Sequence, residues 1–203
     1  MIDPFRRREV WFESGLEENW ATAFIARRDV SEVREQQVVR YRDGGHYRKH
    51  FFDFVVTWTD GSRTAYAVKY EADVEKKPLR HILQLIADSS GDDFADEYSI
   101  LTEKHVDEVT IANARLVLSC SSDFDDEGRR IMRARLAGCG TTVRLGDLGR
   151  LTRLGERGYR AAVSLVYDGI LEVAPGDLLG RDTSLRNHAA SNACVNPILT
   201  ATD

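Results

Sequence analysis

His50-Phe51-Phe52-Asp53-Phe54-Val55-Val56-Thr57-Trp58, a turn at Asp60-Gly61, and then Thr64-Ala65-Tyr66-Ala67-Val68-Lys69 decide how this chain is read. Two β-branched and aromatic runs on either side of an Asp-Gly turn predict an antiparallel hairpin. Asp53 lies inside the first apolar run, where a charge is costly to bury unless something pairs with it. Lys69 ends the second run. An odd-length loop centred on Gly61 sets Lys69 directly opposite Asp53, on the same face. A two-residue Asp60-Gly61 loop would put Val68 opposite Asp53 and turn Lys69 to the other face, unless a bulge intervenes. A carboxylate and a lysine on neighbouring strands suit metal-assisted chemistry on a phosphate. A plain cross-strand ion pair fits the same residues equally well.

Upstream, residues 11 to 28 read as a helix, with Leu16, Trp20, Ala23 and Phe24 at helical spacing and Ser14 as its cap. Gln36 to Tyr41 and Tyr47 to Trp58 read as strands separated by Asp43-Gly44-Gly45. Downstream, Pro78 opens a helix with Leu79, Ile82, Leu83 and Ile86 on one face. Tyr98 to Thr102 reads as a strand, and His105 to Leu118 as the following helix. Small polar residues from Ser119 to Asp123 suggest a boundary. Beyond it, Glu127 to Leu136 and Arg157 to Tyr167 read as helices. Ile170 to Val173, followed by Ala174-Pro175-Gly176, reads as a small hairpin. Helices followed by a short hairpin suit a winged helix. The expected organisation is an α/β domain over 1–121, a winged-helix-like domain over 122–187 that binds DNA or a partner, and a loosely ordered tail over 188–203.

The chain has 203 residues, 30% of them charged and 42% hydrophobic, with a formal net charge of -5. That is the composition of a water-soluble globular protein. No apolar run reaches membrane-spanning length, and Met1 to Arg8 lacks a signal-peptide core. Cys120, Cys139 and Cys194 form neither a disulfide frame nor a zinc pattern, so a reducing cytoplasm is the expected compartment. The acidic balance argues weakly against nucleic acid, but charge is unevenly placed. No lysine follows Lys104, and from Ser122 to Asn187 eleven arginines meet ten acidic residues. Arg129, Arg130, Arg133, Arg157 and Arg160 are the candidates for DNA phosphates, because a planar guanidinium matches phosphate oxygens. A solvated helix face would use the same residues.

Other motifs carry less. Ser14-x-x-Glu17 is a capping box, which by itself accounts for both residues, and Glu13 is a neighbouring alternative carboxylate. The five histidines have no metal-ligand spacing. His50 either lines the site or fills a strand position. There is no glycine-rich phosphate loop and no Gly-x-Ser-x-Gly elbow.

In sequence order, several segments resemble one family. Glu13-Ser14-Gly15-Leu16-Glu17 is similar to its helix start, and Val33-Arg34-Glu35-Gln36-Gln37 to its next conserved stretch. Phe52-Asp53-Phe54 stands where the family has Pro-Asp-Phe, and Ala67-Val68-Lys69 where it has Glu-Val-Lys or Gln-Val-Lys. Tyr98 to Glu103 with Ile111 to Leu116, and Ala161 to Thr183, extend the likeness over most of the chain. The family is the PD-(D/E)xK nucleases, and within it the TnsA-type endonuclease subunit of heteromeric cut-and-paste transposons.

The resemblance implies a restriction-endonuclease-like core, a mixed sheet flanked by helices, and a C-terminal winged helix. It implies that Glu17, Asp53 and the Val68 backbone carbonyl hold Mg²⁺, with Mn²⁺ able to substitute, and that Lys69 faces the reacting phosphate. It further implies cleavage of double-stranded DNA at transposon ends beside a DDE-type transposase and, by extension, an ATP-dependent transposition regulator. Ala67 departs from the pattern, because the Glu or Gln it replaces would share a face with Lys69. Glu71, two residues further on, would supply a substitute carboxylate if the strand continues. Two other readings stand beside this one: a nuclease-fold DNA-binding scaffold with little or no cleavage, and a restriction or repair endonuclease.

Overall fold

A computed structural model of the chain describes residues 1–74, 78–90 and 94–191. It contains two compact units, Met1–Ala114 and Arg115–Asp203. The first unit begins with β1 (Ile2–Asp3) and β2 (Arg8–Glu9), followed by α1 (Gly15–Ile25), β3 (Val30–Asp43), β4 (His46–Trp58) and β5 (Arg63–Val68). Next come α2 (Glu71–Val74), α3 (Leu79–Ser90), β6 (Glu97–Leu101) and α4 (Glu108–Ser121), whose length spans the division. The second unit holds α5 (Asp126–Leu136), β7 (Thr142–Arg144), α6 (Leu145–Leu151) and α7 (Glu156–Tyr167). It ends with β8 (Leu171–Glu172), β9 (Ser184–Asn187) and α8 (His188–Ser191).

The main sheet has the order β3-β4-β5-β6. β3, β4 and β5 are antiparallel neighbours, and β6 runs parallel to β5, so the sheet is mixed. β3 turns into β4 through Gly44-Gly45, which pair Asp43 with His46. Both glycines have positive φ, +55° and +88°, as a two-residue turn of the hairpin hand requires. α1 covers one face: the ring of Phe24 meets those of Phe54, Trp58 and Tyr66. α3 covers the other with the stripe expected of it, burying Leu79, Leu83 and Ile86 among Val39, Tyr41, Phe52, Val55, Ala65 and Ala67.

Residues two apart on a strand share a face, yet Phe52 and Phe54 do not. Phe54 packs on Phe24 of α1, whereas Phe52 packs on Phe94 and Tyr98 and belongs to the α3-side cluster. The alternation inverts between them, at Asp53. β3 inverts at the same level. Its register pairs Glu35 with Phe54 and Gln37 with Phe52, and the intervening Gln36 takes a left-handed φ of +53°. A non-glycine residue there stores backbone strain of roughly 1–3 kcal/mol.

Several sequence expectations need correction. β3 begins at Val30 rather than Gln36. The units divide within α4 rather than at 121, because Ser119-Cys120-Ser121 remain helical. The Ser121 and Ser122 hydroxyls donate back to the Val117 and Leu118 carbonyls, which lets small polar residues stay in or beside a helix. The second unit's sheet is three-stranded and antiparallel in the order β7-β9-β8. β8 therefore pairs with the distant β9 and not across Ala174-Pro175-Gly176. Of the expected loose tail, residues 188–191 form α8, and the His188 ring lies 2.6 Å from Glu172. Residues 192–203, with Cys194, lie outside the described residues. No helix among the described residues is long and apolar enough to cross a membrane.

Candidate active site

The ladder between β4 and β5 runs from Thr57↔Arg63 to Phe54↔Tyr66 and stops there. Its loop is odd in length, as the catalytic reading needs, but it is centred on Asp60 rather than Gly61. Continued by one step, the register sets Asp53 across from Ala67, not Lys69. Lys69 lies two residues beyond Ala67, so side-chain alternation keeps it on the same side. The Lys69 ammonium reaches Asp53 Oδ2 at 3.5 Å. Asp53 is buried, and its side chain is 11% exposed against 40% for Lys69.

Where the ladder stops, the Val68 backbone N–H donates to Asp53 Oδ2 at 2.6 Å. The Asp53 carboxylate thus closes the strand end, satisfying a buried donor that would otherwise lack a partner. Lys69 N–H turns the other way and donates to the Leu101 carbonyl on β6. The arrangement accounts for a buried aspartate without any ligand, through one short hydrogen bond and one ion pair. It also leaves Asp53 Oδ1 with no hydrogen-bond partner among the described residues.

Glu17 sits on the first turn of α1 and is 6% exposed. It shares the helical face of Trp20 and Phe24, which packs on the sheet. Its carboxylate is engaged in capping. Oε2 accepts from the Glu13 N–H at 2.9 Å and Oε1 from the Ser14 hydroxyl at 3.1 Å, while Ser14 Oγ accepts from the Glu17 N–H. The condition set for Glu71 fails. β5 ends at Val68, Glu71 opens α2, and its carboxylate lies 3.6 Å from Lys104. Among the described residues no three His, Cys, Asp or Glu side chains converge as a metal site would require. On the sheet, position 67 presents only a methyl group, 1% exposed.

His50 belongs to the surroundings of this pair and was only loosely signalled by the sequence. Its ring stands edge-on to Phe52 at 4.8 Å, and its buried Nε2 has no hydrogen-bond partner among the described residues. Burial pushes its pKa down, the Asp53 charge pulls it up and Lys69 lowers it further, so the ring is held neutral. Gln36, which brackets Asp53 from β3, gave no signal at all, since glutamine is not a residue that favours positive φ.

Four of the five candidate DNA arginines are engaged within the second unit. Arg157 binds Asp125 through two nitrogens and reaches Glu127. Arg160 binds Asp123 and the Ser119 carbonyl. Arg129 and Arg133 converge on Asp168. Only Arg130 has no such partner among the described residues. Asp125 is correspondingly held below the usual carboxylate range, chiefly by Arg157. These pairs tie α5 to α7 and its C-terminal end. A cavity of about 670 Å³ beside α3 and β6 contains none of the expected site residues. No family model matches the chain, and no curated protein matches it.

Proposed function

We propose that this chain is a Mg²⁺-dependent DNA endonuclease subunit that cleaves at transposon ends together with a DDE-type transposase. One observation carries the proposal: Asp53 and Lys69 meet at the open end of the β4–β5 ladder in a mixed sheet flanked by helices. The transposon assignment rests on the sequence likeness of Glu13 to Glu17, Val33 to Gln37 and Ala161 to Thr183. The order α5-β7-α6-α7-β8-β9, with its three-stranded antiparallel sheet, supports a winged-helix reading of the second unit.

The donor set suits a hard cation that keeps most of its water. Asp53 would offer Oδ1 and Val68 a carbonyl oxygen, and Glu17 would add a second carboxylate only on leaving its cap on α1. Such a metal would activate water and neutralise charge on the phosphodiester. The chain's own contributions are narrower. Lys69, tethered by Asp53 but nearly half-exposed, places a positive charge where the phosphate gains negative charge in the transition state. The Val68 N–H fixes the Asp53 rotamer. Neutral His50 adds no competing cation behind the pair.

A second reading is favoured by a specific observation. Ala67 offers no oxygen donor and the Glu17 carboxylate is engaged in capping, which suits a DNA-binding scaffold of weak or no activity. The test is nicking of supercoiled DNA carrying a transposon end, in Mg²⁺ and in Mn²⁺, with and without the transposase and its ATP-dependent regulator. Cleavage that needs the transposase supports the proposal. Cleavage of plain duplex without partners points instead to restriction or repair, and binding without cleavage to the scaffold. Glu17→Gln distinguishes ligand from cap, because glutamine still serves a capping box but is a poorer Mg²⁺ ligand.

A further inference from the structure

Residues 38 to 51 extend the β3–β4 hairpin, and its register sorts their side chains. Val39 and Tyr41 are buried on the α3 side. The opposite face carries three directly paired couples: Val38 with Phe51, Arg40 with Lys49, and Arg42 with Tyr47. All six are exposed, Phe51 at 57% and Tyr47 at 72%. Arg42 lies over the Tyr47 ring at 4.9 Å and donates to its hydroxyl. No acidic side chain occupies this face. Arg40 and Lys49 have no carboxylate partner among the described residues, although most arginines of the chain do.

This arrangement contributes little to folding. Like charges directly opposite on a sheet repel, and exposed Phe51 and Val38 leave apolar surface in water. The second unit neutralises its arginines with aspartates, whereas this face keeps its cations open beside aromatic rings. A chain of net charge -5 has gathered three cations and two aromatics on one strand pair. Phosphates bridging Arg40 and Lys49 would relieve the repulsion, and exposed rings beside cations suit nucleic-acid backbone and bases. Tyr47 and Phe51 lie about 14 Å apart along the strand. That span covers several phosphates of one DNA strand.

We infer that the outer face of this hairpin is a DNA-backbone binding surface. The inference does not rest on the nuclease reading for its binding. The test uses the full chain and its Arg40→Gln/Lys49→Gln variant, titrated with fluorescent duplex DNA from 50 to 200 mM salt, with Asp53→Ala as the reference for cleavage. Loss of two phosphate contacts should flatten the slope of log affinity against log salt by about 1.8, so the wild-type advantage shrinks about twelvefold across that range. The melting temperature of the variant should equal or exceed wild type, since a repulsive pair is removed. Unchanged affinity and slope in the double variant overturn the inference, even if the wild type cleaves, and so does a wild type that binds no duplex at 50 mM salt. Hairpin-dependent binding without any Asp53-dependent cleavage, with or without the transposase, sustains the inference and overturns the nuclease reading. Self-association that the double variant abolishes, without DNA binding, assigns the face to a second copy and overturns the inference.

Discussion

Replacing Ala67 by glutamate restores the side chain expected at that position and tests the site from both directions. Ala67 is 1% exposed among Phe52, Val55, Leu83 and Ile86. A longer side chain there overpacks the core, at about 1–3 kcal/mol. It also buries a carboxyl across from Asp53, which raises its pKa and adds a further ~2 kcal/mol. Ala67→Glu should therefore cost about 3–5 kcal/mol in EDTA, or roughly 12–20 °C of melting temperature for a unit of this size. The sign with pH follows from the raised pKa. The introduced carboxyl is tolerated while protonated and destabilises as pH rises through its folded value, so the loss is smaller at pH 5 than at pH 8. If the carboxyl joins Asp53 in holding Mg²⁺, ion at a hundredfold excess over its dissociation constant returns about 2.7 kcal/mol. Calorimetric melts of both proteins in EDTA and in Mg²⁺ read all three effects. A variant that melts within 2 °C of wild type in EDTA would refute the enclosure of position 67. A large loss with no Mg²⁺ recovery would refute the shared face of Asp53 and position 67 as a metal site.

Three further outcomes are expected. Gly149→Ala should destabilise the second unit by about 1–3 kcal/mol, read by urea titration, because a Cβ there overlaps the Gly155 carbonyl oxygen and comes within 3.2 Å of its carbon. His50 has a folded pKa below its unfolded value. Its contribution is thus fully present above about pH 6.5 and is lost as pH falls, so His50→Gln should flatten the fall of melting temperature between pH 7 and 5. Glu71→Ala removes a carboxylate paired with Lys104, so metal affinity and any cleavage should stay within twofold of wild type by calorimetry and nicking assay.

The α3 stripe, the Gly44-Gly45 turn and the β4–β5 hairpin were legible because each is a local periodicity or a turn dipeptide with one dominant solution. Lys69 could be brought to the Asp53 face from sequence, but not at the right register. Hairpin registers that differ by two residues keep the same alternation of faces. The inversion at Gln36 and Asp53 left no trace, since it depends on two strands buckling together rather than on a residue that favours the conformation. α6 was missed because Leu145-Gly146-Asp147-Leu148-Gly149 reads as a loop. Its glycines serve close packing instead: a Cβ on Gly158 of α7 would come within 3.1 Å of the Gly149 Cα. The arginines read as phosphate ligands because their acidic partners lie up to 39 residues away along the chain, beyond any local pattern.

Mn²⁺-supported nicking of supercoiled transposon-end DNA by the wild type, Asp53→Ala and Lys69→Ala tests the central claim most directly. Slow nicking by the wild type, raised by the transposase, is expected, with both variants reduced at least a hundredfold while duplex affinity stays within threefold. Nicking by Asp53→Ala at the wild-type rate, or a wild type that cuts nothing with either metal and any partner, would contradict it.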